Sequence, residues 1–377
     1  MNAPISYIAD EATILAELRL LLVPGVGPLT HQRLIERFGS AAEALAASSS
    51  DLRGVEGVGP KVSTAILAAR NSDAAERQLA FCRQFGVEIL TQTHPLFPQE
   101  LREIPDPPGV LFMRGQLARH DNLAIAIVGT RHATPYGKDQ AEHLAAGLSR
   151  AGFTIVSGLA RGIDAVAHDA ALRAGGRTIG VLGSGVLNIY PPEHDALAER
   201  VIASGAILSE YPPQSPPATH SFPQRNRIVT GMSVGVIVVE ASDRSGALIS
   251  ARHAMEQGRD VFAVPGRVDS RMSKGCHRLI RDGAKLVESV DDVLEELGPL
   301  PAAVPREDGQ GEIHHPAELK LNEQETQVLQ AITSDPCSID SVVAACGLPV
   351  QRVLSTVSVL EMRRLVRRVS GNQIMRK

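Results

Sequence analysis

Short, almost uninterrupted apolar runs recur from residue 123 onward and constrain the fold more than any other feature of the sequence. Helix-period stretches lie between most of them, among them 140–150, 163–174 and 247–257. Apolar strands that alternate with helices are typical of a parallel sheet covered on both faces. The pattern therefore predicts a Rossmann-like, mostly parallel α/β core over residues 123–297. The predicted strands are Leu123–Val128, Phe153–Val156, Thr178–Leu182, Ala206–Leu208, Val234–Val239 and Val261–Val264.

A short internal repeat marks the amino-terminal region. The sequences VPGVGP at 23–28 and VEGVGP at 55–60 each open a helix-period segment. Glycine turns at helix starts expose backbone amides that favour an anion, as in helix-hairpin-helix elements. Residues 1–80 are therefore predicted to form a helical domain of the SAM or helix-hairpin-helix type. Whether this domain binds DNA or is a plain helical bundle stays open.

Three further segments complete the predicted organisation. Residues 81–122 contain five prolines and are predicted to bridge the helical domain and the core. Residues 298–320 are rich in proline, glycine and charge, which is typical of a linker. Residues 321–377 are predicted to form a winged-helix-like domain of three helices and a terminal hairpin. Its first helix starts with Asn322 and Glu325 at the spacing of a capping box.

Bulk composition limits the classes of protein to which this chain can belong. The formal net charge over 377 residues is −4, so a nucleic-acid partner would have to be held by a local basic patch. The four cysteines stand far apart, which favours a reducing compartment without a zinc site or disulfides. No apolar run reaches the ~20 residues of a membrane span, and the amino terminus lacks the basic residues of a signal peptide. We predict a cytoplasmic protein.

The segments after four predicted strands share one chemistry. Ligands of doubly wound sheets bind beyond the carboxyl ends of the strands. Here those ends carry glycine and small hydroxyl residues, and three of the four loops also carry arginine. Such loops offer close backbone approach, amide dipoles and a forked cation, all of which suit a phosphate. The loops lie at 129–137, 157–164, 183–185 and 240–246.

A basic and aromatic cluster adds to this set. The sequence FPQRNR at 222–227 combines a ring that can stack on a base with two arginines that can hold flanking phosphates. Asp164 and His168 stand four residues apart on one predicted helix face, a spacing that a metal can use, but no third ligand is near in sequence. We therefore assign both to packing and helix capping. The sequence has no GxxxxGK[ST] loop, and no cofactor or metal is predicted.

Several longer motifs, in order, resemble the DprA/Smf family of DNA-processing proteins. They are SGLARGIDAVAHDAAL at 157–172, TIGVLGSG at 178–185, SEYPP at 209–213, FPQRNRIVTGMS at 222–233, VVEASDRSGALISARHA at 238–254 and GRDVFAVPG at 258–266. Two positions depart from the family pattern. Arg244 stands where lysine is common, and His277 stands where asparagine is usual.

The resemblance implies a protein that binds single-stranded DNA and catalyses nothing. It also implies homodimerisation and the delivery of RecA onto DNA coated with single-strand-binding protein, in natural transformation. Carried over residue by residue, the DNA pocket would use Gly129, Arg131, Ser157, Gly158, Arg161, Phe222, Arg225, Asn226, Arg227, Ser245 and Gly246.

Two other functions are weighed beside this one. A nucleotide-cleaving Rossmann enzyme, like the lysine-decarboxylase-like phosphoribohydrolases, would need a PGGxGTxxE loop, whereas this chain has SDRSGALISARHAME. A winged-helix regulator of duplex DNA would read bases with residues 349–361, which offer only Gln351 and Arg352. Both alternatives have weaker support in the sequence than single-strand binding.

Overall fold

The protein is represented by a computed structural model that describes residues 11–300, 304–305, 312–333, 335–369 and 373–376. Two compact units emerge. The first runs to Lys285 without the short segment Arg150–Gly152, and the second contains that segment and the residues from Leu286 onward. Met1 to Asp10, predicted above as the start of the helical domain, lie outside the described residues.

A nine-stranded sheet in the order β1-β2-β6-β5-β4-β3-β7-β8-β9 organises the first unit. Six neighbouring strands, β6 to β8 in that order, pair in parallel, whereas β1 and β2 pair antiparallel at one edge. The mostly parallel Rossmann-like core predicted from the sequence is confirmed. The strands are β1 Glu88–Thr91, β2 Val110–Gly115, β3 Ala124–Val128, β4 Thr154–Ser157, β5 Thr178–Leu182, β6 Ala206–Ser209, β7 Gly235–Val238, β8 Asp260–Ala263 and β9 Lys285–Leu286.

The order in which the chain builds the sheet creates one crevice. From β3 the chain first adds β4, β5 and β6 on one side, and then returns to add β7 and β8 on the other. At such a switch point the connections from two neighbouring strands leave in opposite directions, which opens a crevice at the carboxyl ends. The crevice of this chain lies beyond β3 and β7.

Helices cover both faces of the sheet. Residues that alternate along a strand enter different hydrophobic clusters: in β6, Ala206 and Leu208 pack in one cluster, whereas Ile207 packs in the other. Burial on both faces explains why the parallel strands read as continuous apolar runs. The helices are α7 Gln99–Arg102, α8 Pro135–Arg150, α9 Ile163–Arg173, α10 Asp195–Ser204, α11 Ser221–Gly231, α12 Ala247–Glu256 and α13 Lys274–Arg281, with short 3-10 helices at Arg119–Asn122 and Pro192–His194.

The internal repeat forms two equivalent turns in the amino-terminal helical region. Gly25 and Gly57 adopt φ of 92° and 90°, which favours glycine, and each repeat ends with a proline in the first turn of a helix. Described helices of this region are α1 Glu11–Leu21, α2 Pro28–Phe38, α3 Ala41–Ala46, α4 Ser49–Arg53, α5 Pro60–Ala69 and α6 Ala74–Gln84. Near the turns, Arg33 is paired with Glu56 at 3.2 Å.

The predicted bridge is more structured than its proline content indicates. Residues 81–122 contain β1 and β2, which extend the central sheet through β6. All five prolines lie between these two strands, so the ladder is not interrupted. This segment therefore belongs to the same sheet as the core.

The second unit contains the winged-helix-like fold. Helices α14 Val290–Leu297, α15 Glu323–Gln330, α16 Ile339–Cys346 and α17 Val350–Met362 are joined by a 3-10 helix at Pro316–Lys320 and by strands β10 Val304–Pro305, β11 Glu312–Ile313, β12 Cys337–Ser338, β13 Val366–Arg368 and β14 Gln373–Arg376. The wing is a three-stranded sheet because β12 also pairs with β14. Among the described residues no single helix has the length and apolarity to cross a membrane, although α16 and α17 together, bent by 112°, meet that criterion by length and composition.

The predicted capping box of α15 is confirmed and can be tested. The Asn322 side chain accepts from the Glu325 amide at 2.9 Å, and the Glu325 carboxylate accepts from the Asn322 amide at 2.9 Å. We expect Asn322→Ala to lower the free energy of unfolding of this unit by about 1 kcal/mol. Asn322→Asp, which keeps an acceptor, is the control. Chemical unfolding with equal midpoints for all three proteins would contradict the cap.

Candidate nucleic-acid interface

A pocket of about 560 Å³ occupies the crevice beyond β3 and β7. The loops after β3, β4 and β7 and the helix α11 form its walls. Eight of the eleven predicted site residues line it: Gly129, Arg131, Gly158, Phe222, Arg225, Asn226, Ser245 and Gly246. The pocket thus collects residues from four segments that are up to 117 positions apart, as expected of a site at the carboxyl edge of a parallel sheet.

One wall of the pocket is aromatic and cationic. The Arg131 guanidinium lies over the Phe222 ring at 5.2 Å from its centroid, and the Tyr190 and Phe222 rings lie 5.6 Å apart. The Arg131 side chain is exposed and Phe222 is half-buried. A half-buried ring beside an accessible cation offers a base a stacking surface and a phosphate a charge partner.

Arg225 forms the base of the pocket and is almost fully buried. Its Nη1 donates to the carbonyl of Gly158 at 2.5 Å and to the carbonyl of Val181, at the ends of β4 and β5. A Cβ on residue 158 would overlap this guanidinium, so glycine is required there. Burial lowers the pKa of Arg225 to about 10, while Asp164 counteracts the shift. The side chain is therefore protonated at neutral pH.

Asp164 and His168 lie on α9 and are held by residues of neighbouring segments. The Asp164 carboxylate accepts from the amides of Gly158 at 3.2 Å and Ala160 at 3.4 Å. His168 Nδ1 lies 2.6 Å from the Thr178 hydroxyl. Burial is the main cause that lowers the pKa of His168 to about 3, and burial also raises the pKa of Asp164. The described residues contain no cluster of three metal ligands. Both side chains have packing contacts, but Asp164 bonds to amides of the loop before α9 and caps no amide of the helix itself.

A second carboxylate fixes the loop after β3. Glu240 accepts from the Thr134 amide at 2.9 Å and from the Thr134 hydroxyl at 2.6 Å. The Thr130 amide also donates to the Glu240 carbonyl at 2.8 Å. These bonds tie the loop that carries Arg131 to the end of β7, so the cation is presented from a fixed backbone.

Two predicted contact residues are buried and bonded inside the protein. The Ser157 hydroxyl is fully buried and donates to the Ile127 carbonyl at 2.7 Å, between β4 and β3. Arg227 is 2% exposed and lies against carboxylates, with Nε 2.9 Å from Asp106 and Nη2 2.7 Å from Glu210. Neither side chain lines the pocket and both have partners inside the protein, so direct contact with DNA stays a prediction for both.

Arg161 lies outside the pocket lining. Its side chain is about half exposed and its Nε donates to Glu193 at 2.6 Å. The predicted contact with DNA stays a prediction, and a phosphate would have to compete with this carboxylate. The loop at 183–185 is also structural: Ser184 donates to the Asn188 carbonyl at 2.7 Å, and backbone atoms of 212–213 leave no room for a side chain at Gly185.

Some lining residues were not predicted. His132, Tyr190, Thr219, Ser242 and Ser250 line the pocket but were not among the predicted contact residues. Thr219 and Tyr190 come from segments between strands, where strand-end reasoning does not look. Ser250 lies one helical turn into α12, so it faces the pocket by periodicity.

Comparisons with known proteins agree with this geometry. Residues 88–298 match the family model of DNA recombination-mediator protein A, residues 313–372 match the DprA winged helix domain, and residues 11–48 match the DprA-like N-terminal HHH domain. Protein Smf of Synechocystis sp. is 36% identical over 94% of this chain and 96% of its own length. DNA processing protein DprA of Bacillus subtilis is 45% identical over 59% of this chain and 75% of its own length. The chain belongs to the DprA/Smf family.

Solved structures of the DprA/Smf family share the fold. The X-ray structure of DprA from Streptococcus pneumoniae superposes with a TM-score of 0.67 at 36% identity and covers 75% of this chain and 97% of its own. A DprA structure from Helicobacter pylori, described for its single-stranded DNA binding mode, superposes with a TM-score of 0.50 at 32% identity, over 55% and 93% of the two chains. Of the two departures from the DprA/Smf pattern, Arg244 is exposed, and His277 lies with Nε2 3.0 Å from the Gly266 carbonyl.

The buried ion pairs of Arg227 lead to a stability prediction. We expect Arg227→Met to lower the free energy of unfolding of the first unit by about 3–5 kcal/mol, because it leaves the Glu210 carboxylate buried without its cation. Adding Glu210→Gln should restore part of that loss. Urea unfolding measures both. If Arg227→Met is as stable as the exposed-site variant Arg161→Met, the structural role of Arg227 is refuted.

The depressed pKa of His168 leads to a pH prediction. A histidine in the unfolded chain takes up a proton near pH 6.5, whereas His168 in the folded chain stays neutral to about pH 3. The unfolded state therefore binds more protons in that window, and His168 contributes a loss of stability as the pH falls, by up to ~1.4 kcal/mol per pH unit. We expect urea unfolding of His168→Gln to show a shallower dependence between pH 6.5 and 4. Equal slopes for the two proteins would contradict this assignment.

Proposed function

We propose that the chain binds single-stranded DNA in the pocket beyond β3 and β7, with little preference for sequence. The observation that carries the proposal is the Arg131 guanidinium over the Phe222 ring, 5.2 Å from its centroid, on the open wall of the pocket. Bases of any identity can stack on a ring, and every phosphate can pair with a guanidinium. A single strand fits this surface better than a duplex because its bases are free to stack.

The proposal describes binding without catalysis. Asp164, which lines the pocket, and Glu240, which holds the loop after β3, are occupied by backbone amides and by the Thr134 hydroxyl. Both therefore serve to hold the loops that present Gly158 and Arg131. The printed description of the Helicobacter pylori structure, which concerns single-stranded DNA binding by a family member, supports the same ligand.

We extend the proposal to the delivery of RecA onto the bound strand and to a homodimer. Its support is membership in a family described as recombination mediators and DNA processing proteins. The family resemblance also suggests DNA coated with single-strand-binding protein as the substrate in natural transformation. The pocket would hold the strand while RecA is delivered onto it.

Arg131 provides the direct test. We expect Arg131→Ala to weaken binding to an oligothymidylate by roughly 1–3 kcal/mol and to lower the slope of log affinity against log salt by about 0.7. Arg131→Lys should keep the salt slope and lose part of the affinity, because it retains the charge but not the planar group. Fluorescence anisotropy over a salt series measures both quantities.

The control for this test is Arg119→Ala, which removes an exposed arginine from the segment before β3, at the opposite edge of the sheet. Its binding should match that of the unchanged protein. If Arg131→Ala binds as Arg119→Ala does at every salt concentration, the pocket is not the DNA site. The same variants in a RecA filament assay on coated DNA test the second half of the proposal.

A further inference from the structure

The loop after β8 carries a concentration of positive charge that the pocket does not use. Residues 265–281 contain five cations and one carboxylate, in a chain whose formal net charge is −4. The carboxylate, Asp269, is paired with Arg267 at 3.0 Å. Arg271 and Lys274 are exposed, and within the described part of the chain neither has a carboxylate at salt-bridge distance. Both cations are therefore available to an anionic ligand.

This loop is attached directly to the wall of the pocket. The Ala241 amide donates to the Met272 carbonyl at 2.8 Å, and the Gly275 amide donates to the Ala241 carbonyl at 2.8 Å. The next residue, Ser242, lines the pocket. Arg271 and Lys274 therefore flank a backbone connection to the pocket wall.

An exposed aromatic ring lies on the same side. Tyr136 is 44% exposed, and its hydroxyl donates to the Pro265 carbonyl at 2.6 Å, at the start of the loop. Tyr136 also follows the loop that carries Arg131, so it connects the pocket loop with the loop after β8. Exposed aromatic rings beside cations are typical of surfaces that bind single strands.

We propose that Tyr136, Arg271 and Lys274 form a second contact surface, here called the flank site, for the single strand that leaves the pocket. Tyr136 would stack on a base while Arg271 and Lys274 hold phosphates. The flank site rests on the proposed function, since its ligand is the continuation of the strand bound in the pocket. It lengthens the bound strand without adding sequence preference.

The test compares a short and a long oligothymidylate, of about 4 and about 16 nucleotides, the range that one single-strand site covers. The variant Arg271→Ala/Lys274→Ala should bind the long strand at least fivefold more weakly. Its salt slope should fall by about 1.4, because each phosphate contact contributes about 0.7. Binding of the short strand, measured by competition at low salt, should not change. The charge-matched control is Arg119→Ala/Arg150→Ala, which removes exposed arginines from the segment before β3 and from the last turn of α8.

Substitutions of Tyr136 test its proposed role of stacking on a base. Tyr136→Leu should weaken binding of the long strand about fivefold or more, whereas Tyr136→Phe, which keeps the ring and loses the bond to Pro265, should retain it. Thermal unfolding of every variant checks that the fold is intact.

The outcomes separate the flank site from the pocket. Equal binding of the long strand by Arg271→Ala/Lys274→Ala and by its control overturns the flank site. Equal losses for the short and the long strand also overturn it, since the loop would then act only through the shape of the pocket. If Arg131→Ala affects neither strand, the proposed function itself fails, whatever the loop variants show.

Discussion

A positive charge buried at the end of two parallel strands organises the candidate site. The Arg225 guanidinium donates hydrogen bonds to the carbonyls of Gly158 and Val181 in place of water. The Asp164 carboxylate provides the nearby negative charge. Removing a guanidinium from water costs several kcal/mol unless such partners are in place. The ends of β4 and β5 and the start of α9 are therefore held in one arrangement. The position of α11, and with it Phe222 and Asn226, depends on that arrangement.

The different roles of Arg225 and Arg227 could not be predicted from the sequence. Both belong to one basic cluster, and the sequence assigned the same role to both. Residues two apart on a helix point about 200° away from each other, so they face opposite sides of α11. Arg225 faces the pocket, whereas Arg227 faces Glu210 and Asp106. Those carboxylates lie 17 and 121 positions away, so no local pattern could reveal them.

The fold was more predictable than the roles of single side chains. Each predicted core strand agrees with the structure to within one residue at each end. Burial on both faces requires apolar residues at consecutive positions, so these strands are visible in the sequence as continuous apolar runs. The strands β1 and β2 were missed although most of their residues are also buried. They lie at an antiparallel edge and are separated by a proline-rich stretch, which composition assigns to a connection. Loops at strand ends were predictable because the geometry of a parallel sheet fixes where they meet.

Net charge and local charge have separate roles in this chain. Screening at physiological salt limits exposed charges to an effective range of about 8 Å, so a polyanion responds to the cations it touches and little to the total of −4. What matters is whether a cation is already neutralised. Arg161 is paired with Glu193 and Arg227 is paired twice, so a phosphate gains little from either. The Arg131 guanidinium lies over an aromatic ring, and among the described residues it forms no salt bridge, so its charge is available to the ligand. Counting arginines in a motif therefore overestimates the attraction, and the pairing of each one within the fold decides which can hold a strand.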